Sequence, residues 1–222
     1  NYHVLANAHA ELEIINDLKL RASFGIDDNL LNSKRHIQDI TYGDGSYQGP
    51  NSVSDLNAIS TRTIPQLLLT YQKTFKKHAL SGLAGASDEA FKYEVDGAFR
   101  NNFPSNNLTQ LNAGSQSGMS NSGTGYEMRL RSYFGRLNYG FDNKYLLEVS
   151  GRYDGSSKFG ENKRWGWFPS LSAGWIISKE GFMKEVDFIS NLKVRASYGS
   201  VGNNSTADYQ YLNKISLGQN YP

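Results

Sequence analysis

An all-β fold, an antiparallel up-and-down meander of about eight or nine strands, is what this 222-residue sequence predicts. Three observations carry that expectation. Apolar and polar residues alternate with period two in run after run, the runs come in pairs joined by breaks of a few residues, and long polar stretches separate the pairs. Successive side chains leave a strand on opposite sides, so such alternation means a strand with one apolar and one polar face. The short breaks make each pair a hairpin.

The clearest pair sets Tyr133, Leu137, Tyr139 and Phe141, then after Asp142-Asn143-Lys144 sets Tyr145, Leu147, Val149 and Tyr153, against Ser132, Arg136, Asn138, Glu148, Ser150 and Arg152. The chain opens with another. Val4, Ala6, Ala8, Ala10, Leu12 and Ile14 alternate with Asn7, His9, Glu11 and Glu13, Asn16-Asp17 turns, and Leu18, Leu20, Ala22, Phe24 and Ile26 then alternate with Lys19, Arg21 and Ser23. A third strand is expected near 64–73, with Pro65 tolerable only at its beginning, and a fourth over 79–86. Leu171, Ala173, Trp175 and Ile177 mark a seventh, and Leu192, Val194, Ala196 and Tyr198 mark an eighth beside Lys193 and Arg195. Phe182, Val186 and Ile189 fall at helical spacing and predict a short amphipathic turn or helix; residues 209–217 could begin a ninth strand.

Residues 27–62, 87–127 and 154–165 read as long polar connections, functional or mobile by their length. Short and long connections therefore alternate, which sorts them to opposite ends of an up-and-down sheet, as in outer-membrane barrels. An immunoglobulin-like sandwich also alternates but does not sort its loops in this way. Composition agrees. Mean hydropathy is −0.55 and no apolar run approaches a spanning helix of roughly 18 residues, as expected where lipid-facing and lumen-facing residues alternate. Aromatic content is 13 %, which suits strands with interfacial girdles. Zero cysteines exclude a disulfide scaffold, and a net charge of +2 offers no argument for nucleic acid. The first residues alternate like a strand rather than forming a basic start and an apolar core, so no signal peptide is expected at this point of the chain.

Catalytic and metal chemistry find little support. His3, His9, His36 and His78 form no HxH or HExxH cluster, and no GxSxG elbow occurs, so neither an enzyme nor a cofactor is expected. Binding is a better prospect. Tyr42 and Tyr47 stand in the first polar stretch as candidate ligand contacts; Trp165 and Trp167 are candidates for stacking on sugar rings, or else interfacial anchors. Glu11, Glu13, Arg21, Arg136, Glu148, Arg152 and Arg195 should point to a lumen or to a plug inside it, pairing across strands or meeting a passing substrate.

The blocks RYDGSSKFGENKRWGWFPSLSAGWIISKEGFM and NLKVRASYGSVGNN closely resemble the SusC/RagA family of TonB-linked outer-membrane transporters. LRSYFGRLNYGFDNKYLLEVSGRYDGSS and YQKTFKKHALSGLAG resemble it more weakly, in the same order, so the likeness covers essentially the whole of residues 1–222. It implies that these residues are part of a large transmembrane barrel in the cell outer membrane, without plug domain or signal peptide. It also implies import of glycans or peptides together with a SusD-like surface lipoprotein, TonB acting through a part of the protein outside this sequence, and outer-membrane lipid around the wall. Two other readings remain open from the residues alone: a soluble β-sandwich carbohydrate-binding module and an autonomous eight-stranded barrel.

Overall fold

A computed structural model describes residues 1–186 and 188–206. Ten strands follow in chain order: β1 (Tyr2–Ile15), β2 (Leu18–Ile37), β3 (Ile40–Thr41), β4 (Tyr47–Gln48), β5 (Ser52–Phe75), β6 (His78–Asn101), β7 (Ser120–Phe141), β8 (Tyr145–Ser156), β9 (Trp165–Ile176) and β10 (Lys193–Gly199). Eight of them form one sheet in the order β1-β2-β5-β6-β7-β8-β9-β10, and β3 and β4 make a separate two-stranded hairpin. Every long strand thus lies beside its neighbour in sequence, as the meander requires. The order is linear: among the described residues nothing pairs β1 with β10.

The short turns form where the sequence places them. Asp17, Lys76, Asp142 and Asn143 all take positive φ, and Asp and Asn tolerate that left-handed conformation better than most residues. The turns are also tied sideways, the Asp142 N–H donating to the Lys77 carbonyl at 2.7 Å and the Ile176 N–H to the Lys144 carbonyl at 2.8 Å.

Strand length departs from the sequence expectation. β2, β5, β6 and β7 run for 20, 24, 24 and 22 residues, about twice the roughly 9 to 11 that a tilted strand needs to cross a bilayer. Residues 27–62 and 87–127 are therefore largely strand, not loop, and the irregular connections shrink to 38–51, which contains the β3–β4 hairpin, and 102–119. Ladder hydrogen bonds join backbone to backbone, so a strand can continue where its apolar face does not. Pro65 accordingly sits well inside β5 rather than at its beginning. The segment after β9 holds 3₁₀ turns at Ile177–Lys179 and Gly181–Met183 in place of an amphipathic helix, with Phe182 exposed. The ninth strand expected over 209–217 lies outside the described residues.

The chain forms two compact units. The first comprises Asn1–Ala6, Ile26–Arg62 and Phe91–Glu127, and contains the buried apolar residues Val53, Ala58 and Phe103. The second comprises Asn7–Gly25, Thr63–Ala90 and the described residues from Met128 onward. In this second unit β9 alternates between exposed and half-buried along its whole length, and every exposed residue is apolar, Trp165, Trp167, Pro169, Leu171, Ala173 and Trp175. A sheet in water hides its apolar side; this one presents it. No second layer covers that face among the described residues, which removes the sandwich reading.

Candidate functional site: the two faces of the strands

Register converts the alternation into faces. In the second unit each β8 residue joins one from β7 and one from β9 in a row: Tyr133, Tyr153 and Trp167; Leu137, Val149 and Leu171; Tyr139, Leu147 and Ala173; Phe141, Tyr145 and Trp175. Val194, Ala196 and Tyr198 extend these rows on β10. The apolar face is continuous across four strands.

Two aromatic rows border it. At the short-turn end Phe75 stacks on His78 at 4.9 Å, His78 lies 5.1 Å from Phe141, Phe141 stacks on Tyr145 at 6.4 Å, and Tyr145 on Trp175 at 6.5 Å. At the other end Trp165 stacks on Tyr153 at 4.8 Å and on Tyr133 at 6.1 Å, with Trp167 tilted against Tyr153. Both tryptophans thus stand on the apolar face. A Cβ on Gly151 would meet the Trp167 ring at 2.6 Å and one on Gly155 the Trp165 ring at 2.7 Å, so each indole lies flat on a bare stretch of the next strand. Along β8 the rows are the distance from Tyr145 to Tyr153, about 27 Å at roughly 3.4 Å per residue.

The opposite face carries charge. Lys19 pairs with Glu11 at 3.2 Å, Arg136 approaches Glu148 at 3.9 Å, and the Arg152 Nε donates to both oxygens of Asp154 at 2.8 Å while its Nη2 donates to the buried Ser132 hydroxyl at 2.8 Å. Arg152 also lies over the Phe134 ring at 5.4 Å. Glu13 and Arg21 share this face by alternation on β1 and β2. Arg195, opposite Gly174, lines one hollow with Glu148 and Lys193. All seven residues singled out as lumen or plug contacts therefore stand on the polar side of their strands.

Two further clusters left no sequence signal. Beyond the short-turn end of β9, Glu180 accepts hydrogen bonds from the Tyr145 hydroxyl at 2.7 Å and the Trp175 Nε1 at 3.0 Å, and Lys144 donates to its other oxygen at 3.1 Å. The Tyr145 bond above all, then Trp175 and Lys144, hold this carboxyl down at about 2. In the first unit the Asn51 side chain donates to the Phe103 carbonyl at 3.1 Å and accepts the Phe103 N–H at 2.8 Å, while the Asn106 side chain pairs in the same two-way manner with the backbone of Asp39. Connections 38–51 and 102–119 are bound to each other by these pairs. Tyr42 and Tyr47 belong to the hairpin of the first connection, both exposed, with their hydroxyls donating to Gln48 at 2.8 Å and Asp39 at 3.3 Å. The signal for the clamp would have been asparagines at loop roots, an arrangement too common to single out. Among the described residues no group of His, Cys, Asp and Glu could hold a metal ion, and no helix is long and apolar enough to cross a membrane.

An exposed apolar face bounded by two aromatic rows, backed by a charged one, defines the wall of a transmembrane β-barrel. Residues 6–221 match the family model described as TonB dependent receptor-like, beta-barrel, and the chain belongs to that family. It is 36 % identical to TonB-dependent receptor P3 of Formosa agariphila over 95 % of its own length and 21 % of the relative's. It is 48 % identical to TonB-dependent receptor SusC of Bacteroides thetaiotaomicron over 92 residues, 40 % of this chain and 9 % of that one. Among solved structures it is similar to the RagAB peptide transporter, with 28 % identity and a TM-score of 0.81 over 93 % of this chain and 23 % of the other. The chain spans about a fifth or less of the length of these curated relatives, and its unclosed sheet is a segment of a large barrel.

Proposed function

We propose that these residues form part of the wall of a TonB-dependent outer-membrane importer that takes up glycans or peptides with a SusD-like surface lipoprotein, a transporter and not an enzyme. The observation that carries this reading is the inverted exposure of the second unit, apolar outside its two aromatic rows and ion-paired behind them, in a chain of this family. The apolar face meets outer-membrane lipid. Trp165 and Trp167, flat on their glycines and stacked on tyrosines, anchor the wall at the interface rather than hold sugar. Glu11, Glu13, Arg21, Arg136, Glu148, Arg152 and Arg195 face the lumen or the plug within it. Tyr42 and Tyr47, on a hairpin clamped at its root, contact substrate or the lipoprotein, since binding groups sit on loops held by a rigid scaffold. The likeness to the RagAB peptide transporter favours peptides, and the resemblance to the SusC/RagA family keeps glycans beside them.

Accumulation of a labelled oligosaccharide and a labelled oligopeptide in cells with and without functional TonB tests the reading. Uptake of one of them should require TonB. Deleting residues 41–47 should weaken it while leaving the barrel assembled. Undiminished uptake without TonB would make the parent a passive pore.

A further inference from the structure

The segment that leaves β10 does not run on outward but folds back over the polar face of β8 and β9. The Ser200 N–H donates to the Pro169 carbonyl at 3.0 Å, Gly202 packs directly on the Phe168 ring with no room for a Cβ, and the Ser156 hydroxyl donates to the Asn204 side-chain carbonyl at 3.0 Å. Lys158 closes the strap, its ammonium donating to the Asn204 and Thr206 carbonyls at 3.4 and 3.0 Å. Beneath it lies a pocket of about 380 Å³, within the range of roughly 300 to 1,000 Å³ common for small-ligand sites.

The lining of this pocket is rich in donors. Lys163 and Arg164 both border it; among the described residues the Lys163 ammonium has no partner and Arg164 uses only its Nε, on the Phe159 carbonyl at 3.5 Å. Asn203 and Asn204 use their side-chain oxygens to accept from Ser205 and Ser156, and among the described residues their amide NH₂ groups have no partner. The one carboxylate present, Asp154, is already neutralised by Arg152. Phe159 and Phe168 supply apolar walls. Two cations and two amide donors suit an anion, and planar guanidinium and amide groups suit a carboxylate in particular.

We propose that this strap pocket binds a carboxylate of the imported ligand, held by Lys163 and Arg164 with Asn203 and Asn204 beside them. The proposal rests on the importer reading for its ligand, but its chemistry is read on the purified protein. A peptide terminus and an acidic sugar carry the same group, and separate probes distinguish them.

The experiment uses the full-length protein in detergent and calorimetric titration with four probes: a tripeptide acid, its terminal amide, trigalacturonate and its methyl ester. At least one acid should bind more tightly than its neutral counterpart, and the acid that does so names the source. Lys163→Gln with Arg164→Gln should weaken that acid about tenfold or more, the loss expected for a charge-assisted hydrogen bond, and change the neutral probe less than about twofold. Lys163→Arg with Arg164→Lys, which keeps both charges, should retain the preference for acid; its collapse there would overturn the proposal. So would acids that bind no better than neutral probes, acids that fail to bind, or a preference untouched by the Gln variant. Loss of acid preference in the wild type alongside TonB-dependent uptake sinks the pocket alone, whereas acid binding without TonB dependence sinks the importer reading alone.

Discussion

Leu147 and Glu148 are neighbours in sequence and occupy opposite worlds. Leu147 lies on the apolar face between Tyr139 and Ala173, and Glu148 lies behind it, 3.9 Å from Arg136. An arginine on the lipid side near mid-membrane costs roughly 2 to 4 kcal/mol. Leu147→Arg in the parent protein should therefore cut the yield of assembled barrel sharply, while Glu148→Gln leaves it nearly unchanged; equal yields in membrane fractions would mean that the faces are reversed. Glu180 makes a second residue-scale prediction. Its carboxyl, held at about 2 by Tyr145, Trp175 and Lys144, lies below the ordinary carboxylate value of roughly 4.3. A depressed folded-state value adds stability that is full above the ordinary value and lost as pH falls through the depressed one. The urea midpoint of the wild type should thus exceed that of Glu180→Gln at pH 6, and the gap should narrow between about pH 4.5 and 2. A gap independent of pH would show that the three donors add nothing specific to the charge.

At the scale of elements, the amphipathic half of each strand was legible and the other half was not, for a reason visible in β6. Its even positions Leu80, Gly82, Ala84 and Ala86 are apolar or small, but from Asp88 they turn polar at Lys92, Glu94 and Asp96 around Ala90; its odd positions, polar at Ser81, Ser87 and Glu89 around Leu83 and Gly85, become apolar at Phe91, Tyr93 and Val95. The polarity of the alternation changes sides near Asp88. A pattern that reverses averages to none, so a strand of 24 residues reads as a short strand and a polar loop. The pairing Arg131 to Asp88, with nitrogens at 2.6 and 2.8 Å from one carboxylate oxygen, sits where the reversal occurs. The polar-face residues were legible because they alternate with apolar ones, but the strap pocket was not, since it joins 156–168 to 200–204 through a fold-back that no local pattern announces. Those two stretches lie within the blocks that carried the family resemblance. The Asn51 clamp gives a prediction of its own. Asn51→Ala leaves the buried Phe103 N–H and carbonyl unpaired, at about 1 to 3 kcal/mol for each group. Connection 102–119 should become sensitive to limited proteolysis in intact cells while barrel assembly persists, and unchanged protection would mean that Asn106 alone suffices.

For the whole molecule, the decisive fact is that the sheet order has two ends. β1 and β10 each have a strand on one side only among the described residues, so each offers a row of unpaired N–H and carbonyl groups. Such an edge cannot stand in hydrocarbon, where every backbone polar group needs a partner within the protein and each one left over costs several kcal/mol. Nor can eight strands taken from a wide barrel simply meet, because strand number, tilt and stagger are linked and closing on fewer strands demands a different register throughout. The apolar face compounds the difficulty in water, with Leu137, Val149 and Leu171 exposed among the described residues. Residues 1–222 produced alone should therefore neither remain soluble nor fold into vesicles, whereas the full-length parent should do the latter. The measurement is refolding from urea into short-chain phosphatidylcholine vesicles, followed by protease digestion and electrophoresis with and without heating. The parent should give a protease-resistant band whose mobility changes on heating, and residues 1–222 should give neither resistance nor a shift. A resistant, heat-modifiable monomer from residues 1–222 would mean that these strands can close on themselves, and the chain would then be a small barrel in its own right.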